Sequence, residues 1–304
     1  MKTTETYTSC MHVHVRFHIY QPKVVLRVKG VIQIHHGMSE HADRYEHFAS
    51  FLKNHGFVVV VADFVGHGKS LIDFEQGYFG RENGPENLVK DMFHLYEIMR
   101  SRYPDVPYFM LGDDLGSVLI RKFASEYGDF IDGMVLLGTP SKINHKYVKN
   151  SYLYVMKLLK GPLYKANGYF FHIHAARNKK IFQPYNGVEW ITSDPQERKK
   201  YLEDPMTHFA YTIQGYRDII KTIHEVNLDE TIYSTPSHLS IYIACGGDDP
   251  ISKDTAKIVE KYKKNISDVT YHVFDKRRHA LLFERNKQEI YKDILQWLND
   301  RTYL

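Results

Sequence analysis

Cysteine is scarce. Cys10 and Cys245 are the only two in 304 residues, far apart and outside any metal-ligand spacing. Two such thiols make no disulfide framework, so a reducing compartment is the simpler setting. No apolar run reaches the roughly eighteen residues a membrane-spanning helix needs. The amino-terminal MKTTETYTSC lacks the apolar stretch of a secretory signal. Internal repeats and low-complexity tracts are also missing, and 43% apolar with 25% charged residues is neither disordered nor fibrous composition. Formal charge is only +4 and is spread along the chain, which offers nucleic acid no basic face. These absences leave a soluble, cytoplasmic globular protein with no nucleic-acid partner as the expectation. The length suits one large α/β domain with an inserted lid, or two small domains.

What is present alternates strand and helix. Val13–Tyr20 alternates in polarity, Val31–His35 is a short apolar run, and Phe57–Ala62 is a β-branched run suited to a strand buried on both faces. His41–Asn54 reads as an amphipathic helix stopped by Gly56, and Pro85 opens a helix whose Leu88, Val89, Met92, Leu95 and Met99 share a face. Strands at Tyr108–Leu111, Gly133–Leu137, Ser240–Ala244 and Val269–Phe274 are interleaved with helices near Ser117–Tyr127, Asp254–Lys263 and Lys287–Leu298. This alternation predicts a mostly parallel sheet covered on both faces. Between residues 141 and 228 the rhythm breaks into a Tyr-, Phe-, Lys- and His-rich helical stretch. It is expected to be a cap inserted into a core of residues 1–140 and 229–304, over the carboxyl ends of the strands.

Three loops at strand ends carry reactive side chains. His35-His36-Gly37-Met38-Ser39-Glu40-His41 can aim the Met38 N–H at developing negative charge, with His36 and Gly37 at the substrate. Gly112-Asp113-Asp114-Leu115-Gly116 has the small residues that a sharp strand-to-helix turn requires, which would force Asp114 outward and leave the Leu115 N–H as a second donor. Gly247-Asp248-Asp249-Pro250 and Arg278-His279-Ala280 follow later strands and supply an acid and a base. The chain order of elbow residue, acid and histidine is that of one large hydrolase fold.

These landmarks resemble the monoacylglycerol lipases and lysophospholipases, the serine aminopeptidase S33-like α/β-hydrolases. The resemblance rests on His36-Gly37-Met38-Ser39-Glu40-His41 with Arg44-Tyr45, Asp63-Phe64-Val65-Gly66-His67-Gly68-Lys69-Ser70, Gly80 to Asp91, Glu189-Trp190 to Asp204-Pro205, Asp249-Pro250 and the closing Asn286–Trp297 segment. It spans nearly the whole chain. It implies an α/β-hydrolase fold and hydrolysis of small acyl esters or lipids by serine, histidine and aspartate, with no cofactor and no metal. Asp114, His279 and Asp249 stand at the three catalytic positions, and Met38 and Leu115 at the oxyanion hole. Asp249 rather than Asp248 matches the family's acid.

At the nucleophile the chain departs from the family, which reads Gly-His-Ser-Met-Gly where this one has Gly-Asp-Asp-Leu-Gly. There is no other Gly-x-Ser-x-Gly, and Ser117 lies one helical turn away. Asp114 is therefore a natural loss or an introduced change. A carboxylate at a helix amino terminus, facing two N–H donors, is expected to be ionised and to resemble the oxyanion itself. His279 between two carboxylates should then be protonated and unable to serve as a base. Losing the nucleophile of a serine protease costs about 10⁶ in turnover, roughly 8 kcal/mol of barrier. A non-catalytic lipid- or ester-binding protein is one alternative. Another is displacement by Asp114 at saturated carbon, as in haloalkane dehalogenases and epoxide hydrolases, although Leu115 and Met38-Ser39-Glu40 depart from those families.

Histidine is abundant. His12, His14 and His18 share a strand face, and His172 and His174 form a pair, but no carboxylate or cysteine accompanies them at ligand spacing, so no metal site is expected. Tyr152 to Phe171 reads either as cap core or as an apolar channel with peripheral membrane contact, since Lys157, Lys160 and Lys165 rule out a span.

Overall fold

The computed structural model describes residues 1–23, 28–141, 146–165 and 187–302. Eight strands form one sheet: β1 (Lys2–Thr8), β2 (His14–Tyr20), β3 (Val31–His35), β4 (Val58–Ala62), β5 (Tyr108–Asp113), β6 (Gly133–Leu137), β7 (Ser240–Gly246) and β8 (Val269–Phe274). The described helices are α1 (Glu46–Asn54), α2 (Gly84–Arg102), α3 (Leu115–Tyr127), α4 (Lys146–Lys160), α5 (Pro195–Glu203), α6 (Ile213–Glu225), α7 (Asp229–Tyr233), α8 (Thr255–Tyr262) and α9 (Lys287–Asn299). Spatial order is β1-β2-β4-β3-β5-β6-β7-β8, antiparallel at β1 and β2 and parallel from β4 onward. This is the α/β-hydrolase fold.

The β-branched run behaves as its chemistry demands. Successive side chains of a strand point to opposite faces, and Val58, Val60 and Ala62 join the core that includes α2 and α3, while Val59 and Val61 join the one under α1 and α9. All five are buried. At roughly 1.5–3 kcal/mol for each large aliphatic side chain fully buried, such central strands hold the two layers together.

Two local expectations needed adjusting. The helix expected from His41 begins instead as a 3₁₀ turn at Ala42–Tyr45 and continues as α1 from Glu46, because Tyr45 points its ring into the core and its hydroxyl into a buried polar network. β1 went unrecognised: Lys2–Thr8 is a polar edge strand whose only buried side chain is Tyr7, and pairing with β2 defines it.

Strand β3 lies between β4 and β5, so the chain leaves its carboxyl end where the strand order reverses, the usual crevice for a ligand. The loop after β3 and the turn after β5 meet there. A Cβ on Gly116 would sit 2.2 Å from the His35 carbonyl oxygen, and one on Gly112 would sit 2.4 Å from the Gly116 carbonyl carbon. Backbone meets backbone at both positions, and no side chain can give way.

Gly116→Ala is therefore expected to lower stability by about 3 kcal/mol or to prevent folding. Equilibrium denaturation measures this, and a loss below about 1 kcal/mol would contradict the packing.

Candidate active site

Strand β5 ends at Asp113, and Asp114 turns the chain with φ 44° and ψ −109° before α3 starts at Leu115. A positive φ is strained for a residue with a Cβ, at roughly 1–3 kcal/mol, and is held here because the glycines on either side leave no room for another path. The turn projects the Asp114 side chain toward the loop after β3. There the Met38 N–H donates to its Oδ2 at 3.1 Å. The Leu115 N–H also acts on this carboxylate. Ser117 is buried, and its hydroxyl donates to the Asp114 carbonyl at 2.6 Å, which keeps it within the first turn of α3.

His279 lies in the loop after β8. Its Nδ1 is 2.9 Å from Asp249 Oδ2, and its Nε2 is 3.6 Å from Asp114 Oδ1. The second distance is that of an ion pair, longer than a normal hydrogen bond. Asp249 is buried after β7 and accepts from the Ile251 N–H at 2.8 Å and the Ser252 hydroxyl at 2.5 Å. Trp190 packs its ring 5.1 Å from the imidazole, and its carbonyl accepts from the His279 N–H at 3.2 Å. Asp114, Asp249, His279, Met38 and Leu115 are thus brought together from four separate loops.

The charges follow from this geometry. Burial pushes the Asp114 carboxyl up, but His279 and the Met38 and Leu115 N–H groups outweigh it, leaving a net pKa below the ordinary carboxylate value. For His279 burial lowers the imidazole value, but Asp249 and Asp114 outweigh it and the pKa rises well above the usual histidine value. Attraction between unit charges this close is on the order of 4 kcal/mol per pair at an effective dielectric of about 20, enough to hold a buried imidazolium. The stabilisation from His279 is complete below the imidazole's unfolded value and is lost as pH rises through the raised one. That from Asp114 is present above the unfolded carboxylate value and is lost as pH falls through the depressed one.

Asp113 behaves oppositely. Burial, followed by the charge of Glu40, pushes it up to about 8, so it is protonated at neutral pH. The Tyr45 hydroxyl stands 2.9 Å from Glu40 and 3.2 Å from Asp113. Its one proton serves a single carboxylate, and protonated Asp113 supplies the other. Glu40 also pairs with Arg44, and the Gly37 N–H donates to Tyr45 at 3.2 Å, so this network backs the Met38 turn. In the sequence Glu40, Arg44 and Tyr45 belong to a motif that assigns them no role, and the Glu-to-Arg spacing of four is the one signal of their pairing.

His36 is fully buried, with both ring nitrogens engaged. The Phe64 N–H donates to Nε2 at 3.0 Å, so Nδ1 carries the proton and donates to the Gly37 carbonyl at 2.8 Å. Burial depresses its pKa, and the neutral ring braces the turn from behind. Gly37 sits on the Asp114 side, where a Cβ would come within 3.3 Å of the Asp114 Cβ. The segment between β6 and β7 also reaches the turn. Tyr211 Oη accepts from the Ser39 N–H at 2.9 Å, Ser39 Oγ donates to the Phe209 carbonyl at 2.8 Å, and His41 Nε2 pairs with Asp204 at 2.8 Å.

A cleft of about 960 Å³ lies elsewhere, between α1, α5 and residues 282–291. Asp114, Asp249 and His279 do not line it, and its Glu197 is paired with Lys200 and Lys287. Among the described residues no three His, Cys, Asp or Glu side chains converge as a metal site. His172 and His174 lie outside the described residues.

The chain is similar to known proteins in sequence and in fold. Residues 27–286 match the family model described as serine aminopeptidase, S33. The chain belongs to that family. It is 33% identical over 109 residues to the monoglyceride lipase of Mus musculus, a match covering 36% of this chain and 34% of that protein. The chain thus spans about a third of the length of that mammalian relative. A monoglyceride lipase homolog of Monkeypox virus is 24% identical over 305 residues, 97% of this chain and 99% of that one. Among solved structures, a thermostable carboxyl esterase from Bacillus coagulans in complex with glycerol superposes with a TM-score of 0.89 at 25% identity, over 98% of each chain.

The His279 imidazole should titrate above the ordinary histidine range, and both Asp249→Asn and Asp114→Ser should lower its midpoint. NMR of the ring Cε1–H resonance against pH reports this directly. An ordinary midpoint in the unaltered protein contradicts the charge assignment.

Proposed function

We propose that this chain is a carboxylic ester hydrolase scaffold of the monoacylglycerol-lipase and lysophospholipase type, in which Asp114 occupies the place of the nucleophilic serine. The observation that carries the reading is the 3.1 Å hydrogen bond from the Met38 N–H to Asp114 Oδ2, with His279 3.6 Å from the other oxygen. On this reading Met38 and Leu115 are the oxyanion hole, and the carboxylate sits in it as a permanent stand-in for the charge an acyl transition state would develop. His279, oriented by Asp249, is held as the imidazolium and takes up no proton. Attack by Asp114 on an ester carbonyl would produce an anhydride rather than a stable acyl enzyme. The chain as it stands therefore binds an acyl ester of glycerol or a lysolipid without appreciable turnover. Displacement at saturated carbon, after which a neutralised Asp114 would let His279 lose its proton and activate water, is the weaker reading, because Leu115 and Met38-Ser39-Glu40 depart from the hydrolases that use it.

Residues 141–228 are read as the cap of this site, through Trp190, Asp204, Phe209 and Tyr211. Helix α4 buries Leu153 and packs Met156 against the core, yet its other side exposes Tyr154, Val155, Leu158 and Leu159, the last two at 69% and 71%. A helix apolar on both sides and flanked by Lys157 and Lys160 suits shallow contact with an anionic membrane surface. Among the described residues no helix is long and apolar enough to cross a membrane. The free thiols of Cys10 and Cys245 fit a cytoplasmic setting.

Asp114→Ser should react with a fluorophosphonate and cleave a short-chain ester at least about 10³-fold faster than the unaltered chain. A serine variant that neither labels nor hydrolyses would remove the lipase assignment, whereas turnover by the unaltered chain would remove the blocked-site reading. Leu158→Glu with Leu159→Glu should reduce co-sedimentation with phosphatidylserine vesicles at least about tenfold; unchanged partitioning would argue against membrane contact through α4.

A further inference from the structure

Helix α3 carries a buried cation two turns beyond Asp114. The Arg121 side chain is among the largest with no exposure. Among the described residues the groups hydrogen-bonded to its guanidinium are all neutral: the Val226 carbonyl at 2.6 Å, Asn227 Oδ1 at 2.9 Å, the Pro140 carbonyl at 3.3 Å and the Tyr262 hydroxyl at 3.4 Å. An apolar side chain of similar volume would fill the space without desolvating a charge, so mere packing does not account for arginine here.

The acceptors identify what it joins. Pro140 immediately precedes the segment inserted between β6 and β7, and Val226 and Asn227 lie at its far end. Val226 also caps α6, whose carbonyl terminus carries partial negative charge and favours a cation. The planar fork of arginine can hold acceptors from two directions at once, which a single ammonium cannot. Helix α8, which follows the Asp249 loop, also holds the same two stems. Thr255 Oγ1 donates to the Thr139 carbonyl at 3.2 Å, and Lys261 Nζ to the Asn227 carbonyl at 3.2 Å.

We propose that Arg121 is a positioning residue that clamps the two stems, at Pro140 and at Val226–Asn227, to the elbow helix and thereby sets how Trp190, Phe209 and Tyr211 sit against the Asp114 site. The contacts through which the segment reaches the site, Trp190 on His279 and Tyr211 and Phe209 on Ser39, are all carried by chain between those stems. The assignment holds whatever reaction the site performs.

A reporter thiol tests it without any catalytic activity. Asp114→Cys in a Cys10→Ser background leaves the elbow thiol as the accessible one, because Cys245 is buried. Its alkylation is followed by peptide mass spectrometry with iodoacetamide and with a polyethylene-glycol maleimide. Adding Arg121→Met should raise the ratio of the bulky to the small reagent's rate at position 114 by at least about fivefold, the scale on which loss of one link uncouples packed elements. Arg121→Lys should give a smaller rise. If neither Arg121 variant folds, Asn227→Ala takes their place with a rise in the same direction. A ratio within about twofold of the parent in the folded variants overturns the proposal, and so does an equal rise in a core variant of matched melting temperature such as Ile294→Ala, since general opening also admits the larger reagent.

Discussion

One buried arrangement of charge governs this protein: an imidazolium between two carboxylates, with a backbone N–H on the far side of one of them. Separately, each of these ionised groups would be strongly unfavourable in the interior. Together, His279 stabilises Asp114 and Asp249, and the Met38 N–H adds a fixed dipole to Asp114. The same mutual satisfaction explains the chemistry. A histidine held as its conjugate acid, beside a carboxylate that already accepts from the Met38 N–H, is well suited to stability and poorly suited to proton abstraction.

The scaffold keeps these groups in register by leaving the backbone little freedom. Gly112 and Gly116 let the elbow pass against the β3 loop at distances that admit no Cβ, and Asp114 accepts a strained φ as the consequence. Neutral His36 and the Glu40–Tyr45–Asp113 network brace the opposing turn, and from the inserted segment Tyr211, Phe209 and Asp204 hold Ser39 and His41. Core and insertion thus meet at the loop after β3, which both hold in place. Arg121 fits this logic as an anchor well away from the reacting atoms.

Much of this was legible in the residues. The β-branched run at Phe57–Ala62 and the alternation of strands and helices required a parallel sheet covered on both sides, and Gly112 and Gly116 marked the elbow. Local signals were weaker where tertiary pairing supplies the energy. β1 is a polar strand with no hydrophobic alternation to reveal it, and Tyr45 breaks its helix because of a hydroxyl whose partners lie in other elements. Arg121 offered no sign at all, since an arginine within an amphipathic helix normally faces water.

Composition and periodicity therefore determined the class of fold, and short motifs determined which loops meet at the crevice, because both depend on near-neighbour sterics and on burying apolar area. Protonation states and the anchoring of the insertion were decided only in three dimensions. Whether a carboxylate is raised, as Asp113 is by burial and then by Glu40, or lowered, as Asp114 beside it is by His279 and the Met38 and Leu115 N–H groups against burial, depends on what the fold packs around it, and no local pattern encodes that.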